Sequence, residues 1–110
     1  MDNLVDPNVR ARLKRGLLEQ YSNPLIALEN AQKYLGKHAR LFVSTKKDKK
    51  YMIETPDGHL VHFGQMGYED YTKHQDPIRR NNYLVRTANM KGEWRDNPYS
   101  ANNLAREILW

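Results

Sequence analysis

The chain has 110 residues, near the commonest size of a single domain, so two independent cores are not expected. Hydrophobic residues make up 39% and charged residues 28%, a lean supply of core material that seven Tyr, two Phe and two Trp supplement with large apolar area per residue. The lack of cysteine excludes disulfides, thiolate nucleophiles and cysteine-ligated zinc, while 18 Lys and Arg against 13 Asp and Glu, net +5, permit an acidic partner without choosing among protein, nucleic acid and anionic surfaces. No run of eighteen apolar residues is present, and the opening MDNLVDPNVR lacks the basic-then-apolar order of a secretory signal, so neither a membrane span nor export is expected.

Asp6-Pro7 reads as a helix start, and a first helix is predicted from about Pro7 to Tyr21. Val9, Leu13 and Leu17 repeat every four residues, Leu18 and Tyr21 widen the stripe, and Arg10, Arg12, Lys14 and Arg15 form a basic face. Ser22-Asn23-Pro24 repeats the start signal. Leu25, Leu28, Ala31 and Leu35 follow at helical spacing, and Gly36 supplies the stop. The pattern then turns extended: Arg40 to Thr45 predicts a strand, Lys46 to Lys50 a polar turn, and Tyr51–Thr55 with His59–Phe63 a hairpin around Pro56-Asp57-Gly58.

Tyr68 to Gln75 is polar and aromatic without clear period and reads as an ordered loop. Asp76-Pro77 opens a helix ending near Asn89, in which Ile78, Tyr83, Leu84, Val85 and Ala88 can pack. Ser100 caps a last helix, Ala101 to Trp110, whose apolar end is expected to be docked. The fold class expected is therefore α+β: an N-terminal helical hairpin, a three-stranded antiparallel meander and two C-terminal helices. Residues 1–38 form the hairpin or extension, and residues 39–110 a compact α+β module.

The densest polar set is Asp57, His59, His62, Glu69, Asp70, His74 and Asp76. It resembles a metal or proton-transfer site only in composition, because His59 and His62 have opposite parity in one strand and would point to opposite faces. In the plainer reading Asp57 serves the turn, Asp76 caps a helix, and His62 or His74 makes a buried or interfacial hydrogen bond. No zinc-protease helix motif, calcium-loop pattern or nucleophile elbow occurs, and Gly64-Gln65-Met66-Gly67 lacks phosphate-loop spacing. No catalytic residue, metal or cofactor is therefore expected.

The basic residues divide into groups. Arg10, Arg12, Lys14 and Arg15, with Lys46, Lys47, Lys49 and Lys50 at the hairpin tip, are the candidates for phosphate contact. Arg79 and Arg80, beside Tyr83 and Tyr71, suit bidentate bonds to carboxylates, either across a protein interface or to Glu69, Asp70 or Asp76 within the domain. From Lys49 onward the chain is aromatic, rich in Arg and dense in Asn, a composition that fits wet, specific protein contacts and a scaffold or cement role.

Three motifs carry a resemblance: K-Y-x-I-x-T-P-x-G-x-x-V-H-F-G, then Y-x-D-Y-T-x-H-x-D-x-x-R-R-x-x-Y-L-x-R, then N-P-Y-S-x-N-N-L-A-R-x-I-L-W. Over Lys49 to Trp110 the sequence resembles a family of small basic proteins and domains of large double-stranded DNA viruses of the phycodnavirus and mimivirus type. The matching positions include Thr55, Pro56, Gly58, His62, Phe63, Gly64, Tyr68, Asp70, Thr72, His74, Asp76, Arg79, Arg80, Tyr83, Arg86, Trp94, Ser100, Leu104, Ala105 and Trp110. The resemblance implies virion-associated proteins, minor capsid components beneath the major capsid layer. It implies no reaction.

The expectation that results is a non-enzymatic structural virion protein, a minor capsid or cement subunit located in the capsid after passage through a virus factory or the host cytoplasm or nucleus. Arg79, Arg80, Tyr83, Arg86, Trp94 and Trp110 are its candidate partner-binding residues, and other capsid proteins its partners, with no small-molecule substrate. The alternative is a nucleic-acid-binding protein for packaging or virus-factory work, using the first helix and the lysine tip.

Overall fold

The computed structural model describes the backbone of residues 9–110 and the side chains from residue 13 onward. The expected Asp6-Pro7 helix start and the side chains of Arg10 and Arg12 lie outside the described residues.

Helix α1 covers Val9–Leu18 and α2 covers Pro24–Leu35. The Asn23 side chain accepts from the amides of Leu25 and Ile26, Pro24 occupies the first turn, and Gly36 ends α2 at φ +106°, a conformation that favours glycine. Strands β1 (Leu41–Val43), β2 (Lys49–Glu54) and β3 (Leu60–Gln65) form an antiparallel sheet in the order β1-β2-β3. Register pairs Leu41 with Ile53 and Val43 with Tyr51, then Tyr51 with Phe63. At the β2–β3 turn Gly58 takes φ +87° and the Thr55 and His59 main chains bond across it, which is the chemistry expected of Pro56-Asp57-Gly58.

A one-turn helix α3, Tyr71–His74, stands where an ordered loop was expected. Its cause is Asp70, whose carboxylate caps the turn through the Thr72 amide at 3.0 Å. Helix α4 (Pro77–Ala88) is capped by Asp76 and closed by Asn89 as the sequence predicts. Ser100 caps α5 (Ala101–Leu104), which continues as a π-helical segment over Ala105–Leu109. The fold is thus α+β, with helices at the N-terminal side, a three-stranded antiparallel sheet and C-terminal helices.

One core holds the described residues together. Leu41, Val43, Tyr51, Ile53 and Phe63 line the inner sheet face, and Leu18, Ala27, Leu28, Ala31, Leu104, Ala105, Ile108 and Leu109 cover it. The N-terminal hairpin therefore shares its core with the rest of the chain. Several expected packing positions are corrected. Leu13 and Leu17 face outward and, among the described residues of that stripe, Leu18 alone is buried, because α1 meets β1 along the side that carries Lys14. Ile78 and Val85 are likewise exposed on α4, whose inward side presents Tyr83 and Thr87. Among the described residues no helix is long and apolar enough to cross a membrane.

The largest correction concerns the lysine turn. Strand β2 begins at Lys49, so Lys50 belongs to the sheet and is only 3% exposed. Its ammonium donates to Asp70 at 3.1 Å and to the Tyr68 carbonyl at 2.6 Å. Asp70 is fully buried and also accepts from the Thr72 hydroxyl and amide. Replacing Lys50 with Met strands this carboxylate without its cation and is expected to cost about 3 kcal/mol or more in urea denaturation. Arg40→Ala, which breaks the more exposed Arg40–Glu54 pair, is expected to cost less than about 1 kcal/mol. Equal losses for the two variants would contradict the buried pair's role.

Candidate functional site: an arginine-lined aromatic groove

Helix α4 places Arg79, Asn82, Tyr83 and Arg86 at helical spacing on one side, and there they line a groove of about 520 Å³. The end of β3, with Gly64 and Gln65, the Tyr68–Glu69 segment and Leu109–Trp110 form the rest of it. Gly64 is required here: at φ +81° a β-carbon would lie 2.7 Å from Leu109 Cδ1 and 3.2 Å from Lys50 Cβ. The close approach lets the π-helical segment seat Trp110 against α4.

The aromatic part of the groove is an ordered ladder. Tyr83 and Trp110 stack with ring centroids 4.2 Å apart and 8° between planes. Trp110 also meets His74 at 5.2 Å, and His74 meets Tyr71 edge-on at 6.0 Å. Guanidinium groups close both ends, Arg86 over Tyr83 and Arg80 over Tyr71, each 5.3 Å from the ring centroid. Arg80 Nε further donates to the Trp110 main-chain oxygen. Arg80 is thereby a clamp on the ladder, whereas Arg79 and Arg86 stand exposed beside the groove with no carboxylate in salt-bridge reach among the described residues. Of the expected internal partners, Asp70 is engaged with Lys50 and Asp76 with the α4 amides, while Glu69 lines the same groove without an ion pair to either arginine among the described residues.

Four of the sequence-predicted partner-binding residues, Arg79, Tyr83, Arg86 and Trp110, therefore come together in one groove. Arg80 lies behind it, and Trp94 is elsewhere. The Arg95 and Arg106 guanidiniums lie 4.5 and 5.7 Å from the Trp94 ring centroid, and the indole donates to the Met90 carbonyl at 2.8 Å. Its role in the structure is to hold the loop between α4 and α5. Sequence reading missed the contributions of Tyr68, Asn82 and Leu109. Asn82 was signalled by its spacing from Arg79 and Arg86, but Tyr68 and Leu109 reach the groove only through tertiary folding.

The residues proposed for phosphate contact do not assemble comparably. Lys50 is buried in its ion pair, and Lys14 donates to the carbonyls of Ser44 and Lys46, closing the end of β1. Arg15 lies 3.6 Å from Glu19. Lys46 and Lys47 are exposed and Lys49 is half-buried. The polar cluster is dispersed too: His59 sits outside β3 and pairs with Asp57 at 3.0 Å, while His62 Nδ1 lies 2.7 Å from Ser44 Oγ. Among the described residues no group of three or more His, Asp and Glu is placed to hold a metal ion.

His74 accepts the Asp76 amide at Nδ1 at 2.9 Å, so the neutral ring carries its proton on Nε2, which is buried in the aromatic cluster without a hydrogen-bond partner. Burial, reinforced by the nearby Arg79 charge, holds His74 below its ordinary value, and burial with Lys46 and Lys14 does the same for His62.

Comparison with known proteins gives a match to DUF5754, a family of unknown function, over residues 39–87, slightly less than half of the chain. The matched segment runs from the start of the sheet through most of α4 and includes Arg79, Tyr83 and Arg86 but not Trp110. No curated protein and no solved structure matches the chain.

Two histidines held below the ordinary value of 6.5 favour the folded state in their neutral form. Their stabilisation is complete above that pH and is lost as pH falls through the lowered folded-state values. Urea midpoints are therefore expected to fall from about pH 8 to about pH 5, and His74→Asn, which keeps an acceptor but cannot titrate, to flatten that fall. An unchanged slope in this variant would show that His74 does not contribute.

Proposed function

We propose that this protein is a non-enzymatic binding module whose groove receives an acidic segment of a partner protein. The observation that carries the reading is the pairing of two cations that have no carboxylate partner among the described residues, Arg79 and Arg86, with the stacked Tyr83–Trp110 floor. Arginine and aromatic side chains are the residue types that most often dominate protein interfaces. Here the rings are already ordered, so a ligand need not immobilise them on binding, and a partner carboxylate can meet either guanidinium with paired hydrogen bonds. Glu69 on the opposite wall repels a uniformly acidic surface and favours a segment whose carboxylates lie on the α4 side.

The wider setting follows from the sequence resemblance: a minor capsid or cement subunit in the virion of a large double-stranded DNA virus, in contact with other capsid proteins. The basic residues of the nucleic-acid alternative lend it less support, since Lys50 and Lys14 are committed to internal contacts.

Arg79→Glu/Arg86→Glu alters exposed side chains and gives up the Arg86–Tyr83 contact, and it is expected to lower the melting temperature by no more than a few degrees while lowering incorporation into particles by about tenfold or more. Quantitative mass spectrometry of purified virions reads this directly. Normal incorporation of the charge-reversed protein would overturn the docking reading. Recovery of the wild-type chain only with the genome fraction, with a steep salt dependence, would move the function to nucleic acid.

A further inference from the structure

The groove explains one side of α4, but the helix carries a second unsatisfied feature. Ile78 is 72% exposed and Val85 57% exposed, seven residues apart. Beside them run Arg79 and Arg86, also seven apart, and Asn82 falls between the two rows. One face of α4 thus repeats an aliphatic–arginine pair over one heptad. The core does not use it: the inward side of the same helix is occupied by Tyr83, Leu84 and Thr87.

Resting on the docking reading above, we infer that the acidic partner segment is itself an amphipathic α-helix, laid along α4, with its apolar row on Ile78 and Val85 and its carboxylates on Arg79 and Arg86. The repeat distance is the argument. Seven residues of helix advance about 10.5 Å, and a straight helix drifts only about 20° from a seven-residue repeat over one heptad, so both pairs stay on one face. A second helix with an apolar and an acidic residue repeated at the same interval meets both rows in register. An extended strand cannot, because its same-face side chains recur at about 6.6 Å and its side chains three apart, at about 10 Å, point to opposite faces.

Charge complementarity selects the kind of helix. A second copy of α4 would set Arg79 and Arg86 against like charges, which disfavours self-association through this face. An acidic helix places opposite charge there, and Asn82, between the rows, can bond to a polar group of either residue type.

The test uses the full-length protein and fluorescence-labelled peptides. One is a three-heptad helical peptide with Leu and Glu each repeated every seven residues. The second has the same composition with that interval changed to five, and a third keeps the heptad but carries a central Pro. Anisotropy titration is expected to give binding to the first peptide that is about tenfold tighter than to the other two, and about tenfold weaker with Ile78→Ser/Val85→Ser. These two positions are exposed, so thermal melting of the variant serves as the folding check. Equal binding of all three peptides, abolished by Arg79→Ala/Arg86→Ala, would overturn the helical partner while leaving acidic docking in place. No binding of any peptide would overturn the helical partner as well, and the particle experiment then decides independently whether the docking reading survives.

Discussion

The buried pair of Lys50 and Asp70 sets the constraint to which the other elements conform. Two opposite charges inside a small domain are costly to desolvate and are retained only where their remaining hydrogen-bonding capacity is met. Here it is met by a directed chain. The Tyr51 hydroxyl donates to Ser22 Oγ at 2.7 Å, Ser22 lies 3.1 Å from the Thr72 hydroxyl, and Thr72 donates to Asp70. Because Thr72 spends its single proton on the carboxylate, Ser22 must be the donor to Thr72, and every link has one allowed direction. The Asn23 amide fills the remaining acceptor site of Thr72 at 2.8 Å. Strand β2, the α1–α2 corner and α3 are thereby fixed to one another through buried polar groups that satisfy one another.

That constraint propagates to the groove. Asp70 caps α3, α3 presents Tyr71 and His74, and these rings support Trp110, which in turn stacks on Tyr83 of α4. Lys50 contributes a second time, since its stem and Gly64 leave the narrow space into which Leu109 fits. Arg106 completes the attachment by donating to the Leu84 carbonyl and the Thr87 hydroxyl, both at 2.6 Å. The aromatic floor is thus set by internal bonding, and the exposed guanidiniums of Arg79 and of Arg86, which lies over the Tyr83 ring, keep N–H donors with capacity to spare.

The elements that could be read from the sequence are those governed by local chemistry. Asn23-Pro24, Asp76-Pro77 and Ser100 start helices where their side-chain oxygens can reach free amides, and Pro56-Asp57-Gly58 closes a hairpin. What failed was the assignment of faces. Lysine at position 50 looks like part of a solvated turn until the pairing of Asp70 with it is known, and that partner lies twenty residues away. Leu13 and Leu17 satisfy the helical period, yet Lys14 and Leu18 face the sheet, because a lysine stem can pack while its ammonium caps the open carbonyls of β1. In the groove, Arg79, Tyr83 and Arg86 were legible from spacing within one helix. Trp110 was legible only as an apolar residue that must dock somewhere, and Trp94 looked equivalent although its ring is held by Arg95 and Arg106.

The segment similar to DUF5754 carries both halves of the Lys50–Asp70 pair and the arginines of α4, but neither structure is complete within it. Ser22 lies before residue 39 and Trp110 after residue 87, so the hydroxyl relay and the stacked floor each need a side chain from a flanking region. The same holds for the core: the sheet's inner face is covered by Leu18, Ala27, Leu28 and Ala31 from one side of the segment and by Leu104, Ile108 and Leu109 from the other. Without those flanking side chains the sheet's inner apolar face would lose most of its cover and stand open to water. In this chain, therefore, the cationic wall that would recognise a partner and the elements that hold it in shape come from different stretches of sequence. Changes in the flanking helices are expected to reach the groove through Tyr21, Ser22 and Asn23 on one side and through Arg106 and Trp110 on the other, because these residues bond or stack directly onto the elements that position α4.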